Sequence, residues 1–195
     1  MGRLNMSADA DARDIRAAAA GEPAALGRLY DRHGRRVHAI AFHMLRDAQL
    51  AEDVTQETFI RIWKHAARWT PEKAMVSTWV QRIASNLTID YARKRRELTG
   101  HVQADRPDTS TFTRPGAALE SKQAVDILRS AMGELPARQR LALVLTVDED
   151  LSNAEAGQIM GVSEQAMESL LARARRNLRK RLISKKSLLM GTFND

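Results

Sequence analysis

Residues 151–163 decide the fold of this chain, and they run Leu151-Ser152-Asn153-Ala154-Glu155-Ala156-Gly157-Gln158-Ile159-Met160-Gly161-Val162-Ser163. Ser152 followed three residues later by Glu155 is a capping box, which marks the start of a helix. Gly161 tolerates the positive φ of a sharp helix-ending turn, and Ser163 can cap the next helix. The pattern predicts a helix-turn-helix, whose second helix normally lies in the major groove of DNA. An ordinary αα-hairpin is the alternative.

Basic side chains in the second helix favour DNA over the plain hairpin. The basic residues of this segment are Arg173, Arg175, Arg176, Arg179, Lys180, Arg181, Lys185 and Lys186, with no acid among them. The whole chain of 195 residues has a formal net charge of +7. Such a charge suits a polyanionic partner without naming one.

Composition excludes several classes of protein. There is no cysteine, so disulfides and thiolate metal sites are excluded. No apolar run approaches the roughly 20 residues of a membrane-spanning helix, and the first 14 residues lack the pattern of a signal peptide. We therefore expect a cytoplasmic protein that does not insert into membranes.

The chain divides around a stretch of poor periodicity. Gly100, Pro107, Pro115 and Gly116 lie there among Thr, Ser and Asp residues, which is typical of a linker. No segment alternates over the length that a strand needs. We predict an all-α fold of two small helical domains, at 1–97 and 119–186, joined by a flexible linker at 98–118 and followed by a tail at 187–195.

Apolar periodicity places the helices of both domains. The N-terminal domain is predicted to have a short helix near 11–20, a long helix up to Leu45, and another that begins near Leu50. A further helix is predicted directly after Thr70-Pro71, because proline suits the first helical position. In the C-terminal domain, residues 119–132 and 136–147 are predicted helices before the helix-turn-helix.

One helix of the N-terminal domain has an acidic outward face. Its members are Glu52, Asp53, Gln56, Glu57 and Ile60, with Phe59 and Trp63 on its border. A DNA-binding protein gains nothing at its DNA from acidic residues, so we interpret this face as a protein-docking surface. The alternative is a solvated face with both aromatic rings in the core.

The next helix combines aromatic, amide and basic groups. Trp69 and Trp79 bracket a loop, and Arg82, Asn86, Arg93 and Arg96 follow along one side. Aromatic rings stack on unpaired bases, an amide reads base edges, and arginine neutralises phosphate. Two core tryptophans beside a solvated charged face are the alternative.

Together, the two halves resemble a known family. Residues 51–63 (AEDVTQETFIRIW) and 79–90 (WVQRIASNLTID) resemble region 2 of bacterial sigma factors, and residues 135–140 (LPARQR), the helix-turn-helix and 171–175 (LARAR) resemble region 4. Two regions joined by a short linker, with no region 3, match the extracytoplasmic-function (ECF) group. The resemblance covers roughly residues 20–97 and 125–182.

The resemblance implies a role for each surface. The acidic helix would dock on the β′ clamp of core RNA polymerase through Asp53, Gln56, Glu57, Ile60 and Phe59. Trp69 and Asn86 would hold a flipped base of the −10 element, and Trp79 would shape that site. Phosphates of the melted non-template strand would be bound by Arg82, Arg93, Arg95 and Arg96.

The C-terminal domain is expected to read the duplex −35 element and to contact the β flap. The expected residues are Ser163, Gln165, Glu168, Ser169, Ala172, Arg173 and Arg176, the two arginines lying on the DNA backbone. Glu168 stands where many members have Lys or Arg, and a glutamate can accept a hydrogen bond from cytosine N4. The acidic run Asp148-Glu149-Asp150 is interpreted as a solvated loop, with a contact to a partner as the alternative.

The family further implies an anti-sigma factor, often a membrane protein, as a partner. An enzyme is disfavoured because no phosphate-cradling glycine loop or catalytic constellation is present. His33, His38 and His43 recur every five residues, which separates neighbours by about 140° on a helix, so no shared metal is expected. No cofactor is expected either. A duplex-binding regulator that works without polymerase and a decoy that sequesters an inhibitor are the remaining alternatives.

Overall fold

A computed structural model describes residues 2–99 and 117–191, with side chains at 8–98 and 125–184. Helices joined by turns and short irregular segments make up the described chain, which contains no β-strand. The all-α prediction is therefore confirmed. In the predicted linker, residues 98–99 and 117–118 belong to helices, and residues 100–116 lie outside the described residues. In the predicted tail, a helix continues to Gly191, and residues 192–195 lie outside the described residues.

Four helices form the N-terminal half. They are α1 (Gly2–Ala19), α2 (Pro23–Leu45), α3 (Ala48–His65), followed by the 3₁₀ turn Ala66–Arg68, and α4 (Val76–Thr99). Pro23 occupies the first turn of α2, where its missing N–H costs nothing. Asp47 caps α3 by accepting a hydrogen bond from the Leu50 N–H at 3.1 Å. These signals fix where each helix begins.

The start of α4 differs from its prediction. Pro71 lies in a turn at residues 71–73, and the helix begins only at Val76. The indole N–H of Trp69 donates to the Ala74 carbonyl at 3.0 Å, and the Lys73 N–H donates to the Thr70 carbonyl at 3.1 Å. These bonds hold residues 70–75 as a loop, so the prediction of a helix directly after Pro71 is wrong.

An ionic cluster attaches α1 to α2. Asp14 on α1 is fully buried and accepts hydrogen bonds from Arg28 (2.9 Å) and Arg32 on α2, and Arg32 also reaches Asp11 at 2.7 Å. Burial raises the pKa of Asp14, but the hydrogen bonds and charges of Arg32 and Arg28 outweigh it and leave that pKa below its usual value. Because these groups are paired, burying them is tolerated.

The C-terminal half contains the predicted helix-turn-helix. Its helices are α5 (Ala117–Gly133), α6 (Ala137–Leu143), which continues into the π-helical turn Val144–Asp148, α7 (Asn153–Met160) and α8 (Glu164–Gly191). Ser152 and Glu155 form both bonds of the capping box, and Gly161 ends α7 with φ 66°. Both sequence signals for this motif are confirmed.

One hydrophobic core joins the two halves. It contains Met44 and Leu87 from the N-terminal half together with Leu141, Leu145 and Met167 from the C-terminal half. Helices α2 and α4 pack against α6, α7 and the π-helical turn. The described residues therefore form one packed unit, an arrangement that local periodicity did not predict.

The acidic run at 148–150 contributes to this contact. Glu149 accepts from Arg36 Nε at 3.1 Å, and its main-chain oxygen accepts from the same guanidinium at 3.2 Å. Asp148 lies 3.1 Å from His43 Nδ1. The interpretation of this run as a solvated loop is wrong, because two of its carboxylates pair with α2.

Candidate functional site

The acidic surface of α3 consists of Asp53, Gln56, Glu57 and Ile60. These positions share one side of the helix, and Ile60 exposes 45% of its surface there. Glu57 is held by Arg61 (Oε1 to Nε 2.8 Å), and Asp53 accepts from Gln49 at 3.3 Å. Bonds along the helix thus fix polar groups around an exposed aliphatic side chain, an arrangement suited to a protein partner.

Phe59 lies in the core instead of on this surface. It is only 5% exposed, and its ring packs edge-on against Tyr30 with centroids 4.9 Å apart. A side chain this buried cannot reach a docking partner without repacking. The structure therefore corrects the expectation for Phe59, whose direct effect is to anchor α3 to α2.

The loop at 70–75 carries Trp69 at its entrance, and Trp79 follows on the first turn of α4. Both rings are half-buried and pack against the core of the N-terminal half. The guanidinium of Arg16 lies over the Trp69 ring, 5.8 Å from its centroid, within the range of a cation–π contact. Trp69 is therefore fixed in position while part of its surface stays accessible.

Helix α4 divides the predicted DNA-binding residues between two sides. Trp79, Arg82, Asn86, Arg93 and Arg96 recur at helical spacing, with Arg82 and Asn86 exposed. Arg95 follows Asn86 by nine residues, which corresponds to about 180° around the helix. Its guanidinium donates instead to the Leu45 carbonyl at 2.9 Å. The structure does not bring Arg95 together with Asn86.

The recognition surface at the start of α8 is exposed to solvent. Every predicted member is solvent-accessible, namely Ser163, Gln165, Glu168, Ser169, Ala172, Arg173 and Arg176. Met167, Leu171 and Ala174 occupy the opposite, buried side. Ser163 accepts from the Ala166 N–H at 3.2 Å and so caps the helix. One helix thus presents amide, carboxylate, hydroxyl and guanidinium groups outward, as a groove-reading helix does.

Packing of the two halves occupies one predicted DNA-binding side chain. Arg82 Nη2 donates to the Gln158 carbonyl of α7 at 2.7 Å and lies against Gly161 in the turn of the helix-turn-helix. Sequence reasoning missed this contact because its partners lie 76 residues apart, and no local pattern reports such a pairing.

Neither a metal-binding cluster nor a membrane-spanning helix is found in the described part of the chain. No group of three or more His, Asp or Glu side chains there could hold a metal ion. Among residues 2–99 and 117–191, no helix combines the length and the apolar character needed to cross a bilayer.

Two family models match the chain. The model described as Sigma-70 region 2 matches residues 29–97, and the model described as Sigma-70, region 4 matches residues 126–178. The first covers the acidic surface of α3, the loop at 70–75 and α4 as far as Glu97. The second covers the helix-turn-helix.

Curated relatives extend the similarity over most of the chain. The ECF RNA polymerase sigma factor SigM of Bacillus subtilis is 32% identical over 152 residues, which cover 77% of this chain and 91% of SigM. The ECF RNA polymerase sigma factor SigL of Mycobacterium tuberculosis is 31% identical, with 85% and 93% covered.

Solved structures share the architecture. CnrH, in complex with the cytosolic domain of CnrY, has a TM-score of 0.60 and 27% identity, covering 90% of this chain and 98% of CnrH. The sigma factor RpoE of Bartonella quintana, in complex with the anti-sigma factor NepR, has a TM-score of 0.55 at 20% identity, with 80% and 95% covered. The second likeness concerns the fold alone.

Proposed function

The chain belongs to the ECF group of the sigma-70 family, and from this membership we propose which of its surfaces carries each step of promoter-directed initiation. It is a transcription initiation factor that directs core RNA polymerase to promoters, and the family acts without enzymatic activity of its own. The roles of individual residues below are our proposal.

The acidic surface of α3 docks on the β′ clamp of core polymerase. Ile60 supplies the apolar contact, and Asp53, Gln56 and Glu57 surround it with polar groups. The support is the 45% exposure of Ile60 on an otherwise polar helix face, because an exposed large aliphatic flanked by fixed polar groups matches the anatomy of an interface. This is the observation that carries the proposal.

The Trp69 loop and α4 capture the non-template strand of the −10 element. Trp69 offers an anchored ring for stacking, Asn86 an exposed amide for a base edge, and Arg82, Arg93 and Arg96 lie on the same side for the phosphates. Arg95 is not included in this set, because it binds the Leu45 carbonyl on the opposite side. Trp79 supports the site from the first turn of α4.

The recognition surface of α8 reads the −35 element. Gln165, Glu168 and Ser169 face the major groove, while Arg173 and Arg176 neutralise phosphates. The β flap of the polymerase holds this domain in place. Docking of both halves makes the second DNA contact effectively intramolecular, so holoenzyme binds promoters well and the free chain poorly.

Promoter binding requires the two halves to separate. The −10 and −35 elements are about 25 base pairs apart, or about 85 Å of duplex at 3.4 Å per base pair. A packed chain of 195 residues has a radius of gyration of only about 16 Å. The bond from Arg82 to Gln158 must also break before Arg82 can bind phosphate. The packed form is therefore the unengaged form.

An anti-sigma factor controls this transition. The support is the relative CnrH, which is solved in complex with the cytosolic domain of CnrY, and the shared fold of RpoE bound to the anti-sigma factor NepR. A partner that binds the packed form and hides the acidic surface lowers the concentration of sigma factor available to polymerase.

Run-off transcription tests the proposal. Sigma-free core polymerase is incubated with a genomic promoter library, with and without this chain. We expect new transcripts whose starts are preceded by two shared sequence boxes. Absence of any complex with core would overturn the sigma assignment, and a complex that yields no starts would favour the decoy.

A matched pair of variants tests the docking surface. Ile60→Asp places a charge in the proposed contact and should weaken binding to core by at least about tenfold, or about 1.4 kcal/mol. Ile183→Asp makes the same change at an exposed isoleucine of α8 (61% exposed) and should leave the affinity unchanged. Equal loss in both variants would contradict the assigned surface.

A further inference from the structure

A cavity of about 470 Å³ lies between the two halves of the molecule. Helices α2 and α4 supply one wall, including Met44, Leu45 and Ala92, and α5, α6 and α8 supply the other. Its volume falls within the range of sites that bind small molecules. The cavity is distinct from the acidic surface of α3 and from the recognition surface of α8.

The walls of this cavity are strongly basic. The charged residues that line it are Arg95, Arg96, Arg140, Arg181 and Glu134. The one carboxylate pairs with Arg181, whose Nε lies 3.3 Å from Glu134 Oε2. The lining thus contains four guanidinium groups and one carboxylate. Arg95 Nη1 also lies 3.8 Å from Asp47 Oδ2, which is outside the lining, and Arg181 Nη2 also donates to the Glu134 carbonyl at 3.2 Å.

Arg140 is the most constrained member of this cluster. Its Nη1 donates to the Met44 carbonyl at 3.0 Å, but its buried Nε has no hydrogen-bond partner among the described residues. Burial, together with repulsion from Arg96, Arg95 and Arg46, lowers the pKa of Arg140 to about 10. A buried N–H donor and a desolvated cation are both costly without a partner. An anion in the cavity would offset the charge of the Arg140 guanidinium, whereas the enclosed Nε would stay without a partner.

We propose that this cavity binds a small phosphate-bearing anion, with the guanidinium groups of Arg140 and Arg181 as its principal ligands. Arginine matches phosphate because its planar fork donates two parallel hydrogen bonds to two oxygens. The apolar wall of Met44, Leu45 and Ala92 accommodates any part of the ligand beyond its phosphates. Inorganic pyrophosphate and a nucleoside diphosphate share this chemistry.

Binding is coupled to the packing of the two halves. Arg140 and Arg181 belong to the C-terminal half, whereas Arg95 and Arg96 belong to α4. The cavity exists only while the halves are in contact, so a bound anion stabilises the packed form by mass action. Arg96 is shared with the set proposed for the −10 phosphates, but the coupling requires only that the two halves be in contact.

Calorimetric titration of the full chain with inorganic pyrophosphate at low ionic strength tests the site. Arg140→Gln and Arg181→Gln should each weaken binding at least tenfold. The control is Arg179→Gln, which removes the same charge from an exposed position of α8 outside the cavity. It should change the affinity less than twofold. Glu134→Gln removes the competing carboxylate and should tighten binding several-fold.

Two results would overturn the proposal. One is absence of pyrophosphate binding to the unmodified chain at millimolar concentration. The other is equal weakening by Arg179→Gln and the two cavity variants, which would indicate diffuse attraction to a basic protein. Arg181→Lys retains the positive charge but lacks the planar guanidinium that donates two parallel hydrogen bonds, so it should still weaken binding. This variant keeps the test valid if Arg140→Gln does not fold. A parallel titration with ADP distinguishes the two kinds of ligand. Tighter binding of ADP than of pyrophosphate would indicate a nucleotide, and equal or weaker binding would indicate the inorganic ion.

Discussion

Asp14 shows how a single buried charge is stabilised in this chain. Its carboxylate is fully buried, and two arginines of α2 donate hydrogen bonds to it. These contacts keep its pKa below the ordinary value of 3.8, although burial alone would raise it. The cluster attaches α1, which begins before the matched region at 29–97, to the rest of the molecule.

We expect Asp14→Asn to destabilise the protein by about 1–3 kcal/mol at pH 7, because the partly exposed Arg28 and Arg32 lose a charged hydrogen-bond acceptor. The pKa of Asp14 is lowered on folding, so its contribution is present above the unfolded pKa and is lost as pH falls through the folded pKa. The difference between the variant and the unmodified chain should therefore shrink below about pH 4. Urea unfolding between pH 7 and pH 3 measures it.

Asp9→Asn provides the control, because Asp9 is exposed on the same helix. It should change the free energy of unfolding by less than about 0.5 kcal/mol at every pH. A pH-independent effect of Asp14→Asn would show that folding leaves the pKa of Asp14 unchanged.

On the proposed −35 surface, Glu168 is expected to set base preference at one position. We expect Glu168→Gln to reduce discrimination there by about 1–3 kcal/mol, since the carboxylate accepts from cytosine N4 and the amide can also donate. Holoenzyme binding to duplexes that carry each base pair at each −35 position measures the change. Glu164→Gln removes the same charge at the start of α8 and should raise the affinity for all sequences without changing their order.

Individual side chains were predictable where local spacing determines exposure. All seven residues of the recognition surface are exposed, as the spacing of Met167, Leu171 and Ala174 required. Phe59 was mispredicted because it lies at the border of its helix face, where spacing alone does not determine burial. Its contact with Tyr30 comes from another helix. The functional roles of these residues remain predictions.

At the scale of elements, helix ends were predictable when a residue within four positions makes the cap. Ser152, Glu155 and Gly161 delimit α7 in this way. The start of α4 was mispredicted because the determining bond joins an indole to a carbonyl across the 70–75 loop. Proline rules cannot report that bond, since Pro71 suits a turn as well as a first helical position.

Two glycine-to-alanine variants should have opposite effects on stability. Gly161→Ala should cost about 1–2 kcal/mol, because φ is +66° there and an L-residue is strained in that region. The new Cβ would meet only the Arg82 guanidinium at 3.5 Å, so strain in the backbone and not a clash is responsible. Gly27→Ala, inside α2 with nothing within 4 Å of its Cβ, should stabilise by about 0.5–1 kcal/mol. Thermal unfolding compares the two, and a shift of the same sign in both would contradict the assigned turn.

At the scale of the whole molecule, the decisive feature is the contact between the two halves. It could not be predicted from the sequence, because its bonds join residues far apart along the chain, such as Arg140 with Met44 and Arg36 with Glu149. Apolar periodicity shows which helix face is buried but not which helix covers it. Fold class was therefore accessible from the sequence, whereas the arrangement of its halves was not.

A double-mutant cycle measures one bond of this contact. We expect Arg36→Ala and Glu149→Ala to show a coupling of about 0.5–1 kcal/mol in urea unfolding, because Arg36 is partly exposed and solvent weakens such pairs. The coupling should fall as salt is added. Arg36→Ala combined with Glu57→Ala is the control, and it should be additive because Glu57 pairs with Arg61. Additivity in the first cycle would contradict the expected coupling between Arg36 and Glu149.

The common core of the two halves limits how sigma factors can be recombined. A C-terminal half can be exchanged between two members in order to transfer promoter preference. The exchange also places Leu141, Leu145 and Met167 against the other member's counterparts of Met44 and Leu87. Such a hybrid keeps its recognition helix, but the core between its two halves is mismatched. We expect the halves of the free hybrid to separate more easily than those of either parent. Hybrids intended as independent genetic switches should therefore exchange these core residues together with the recognition helix. Otherwise we expect them to bind polymerase without an inducing signal.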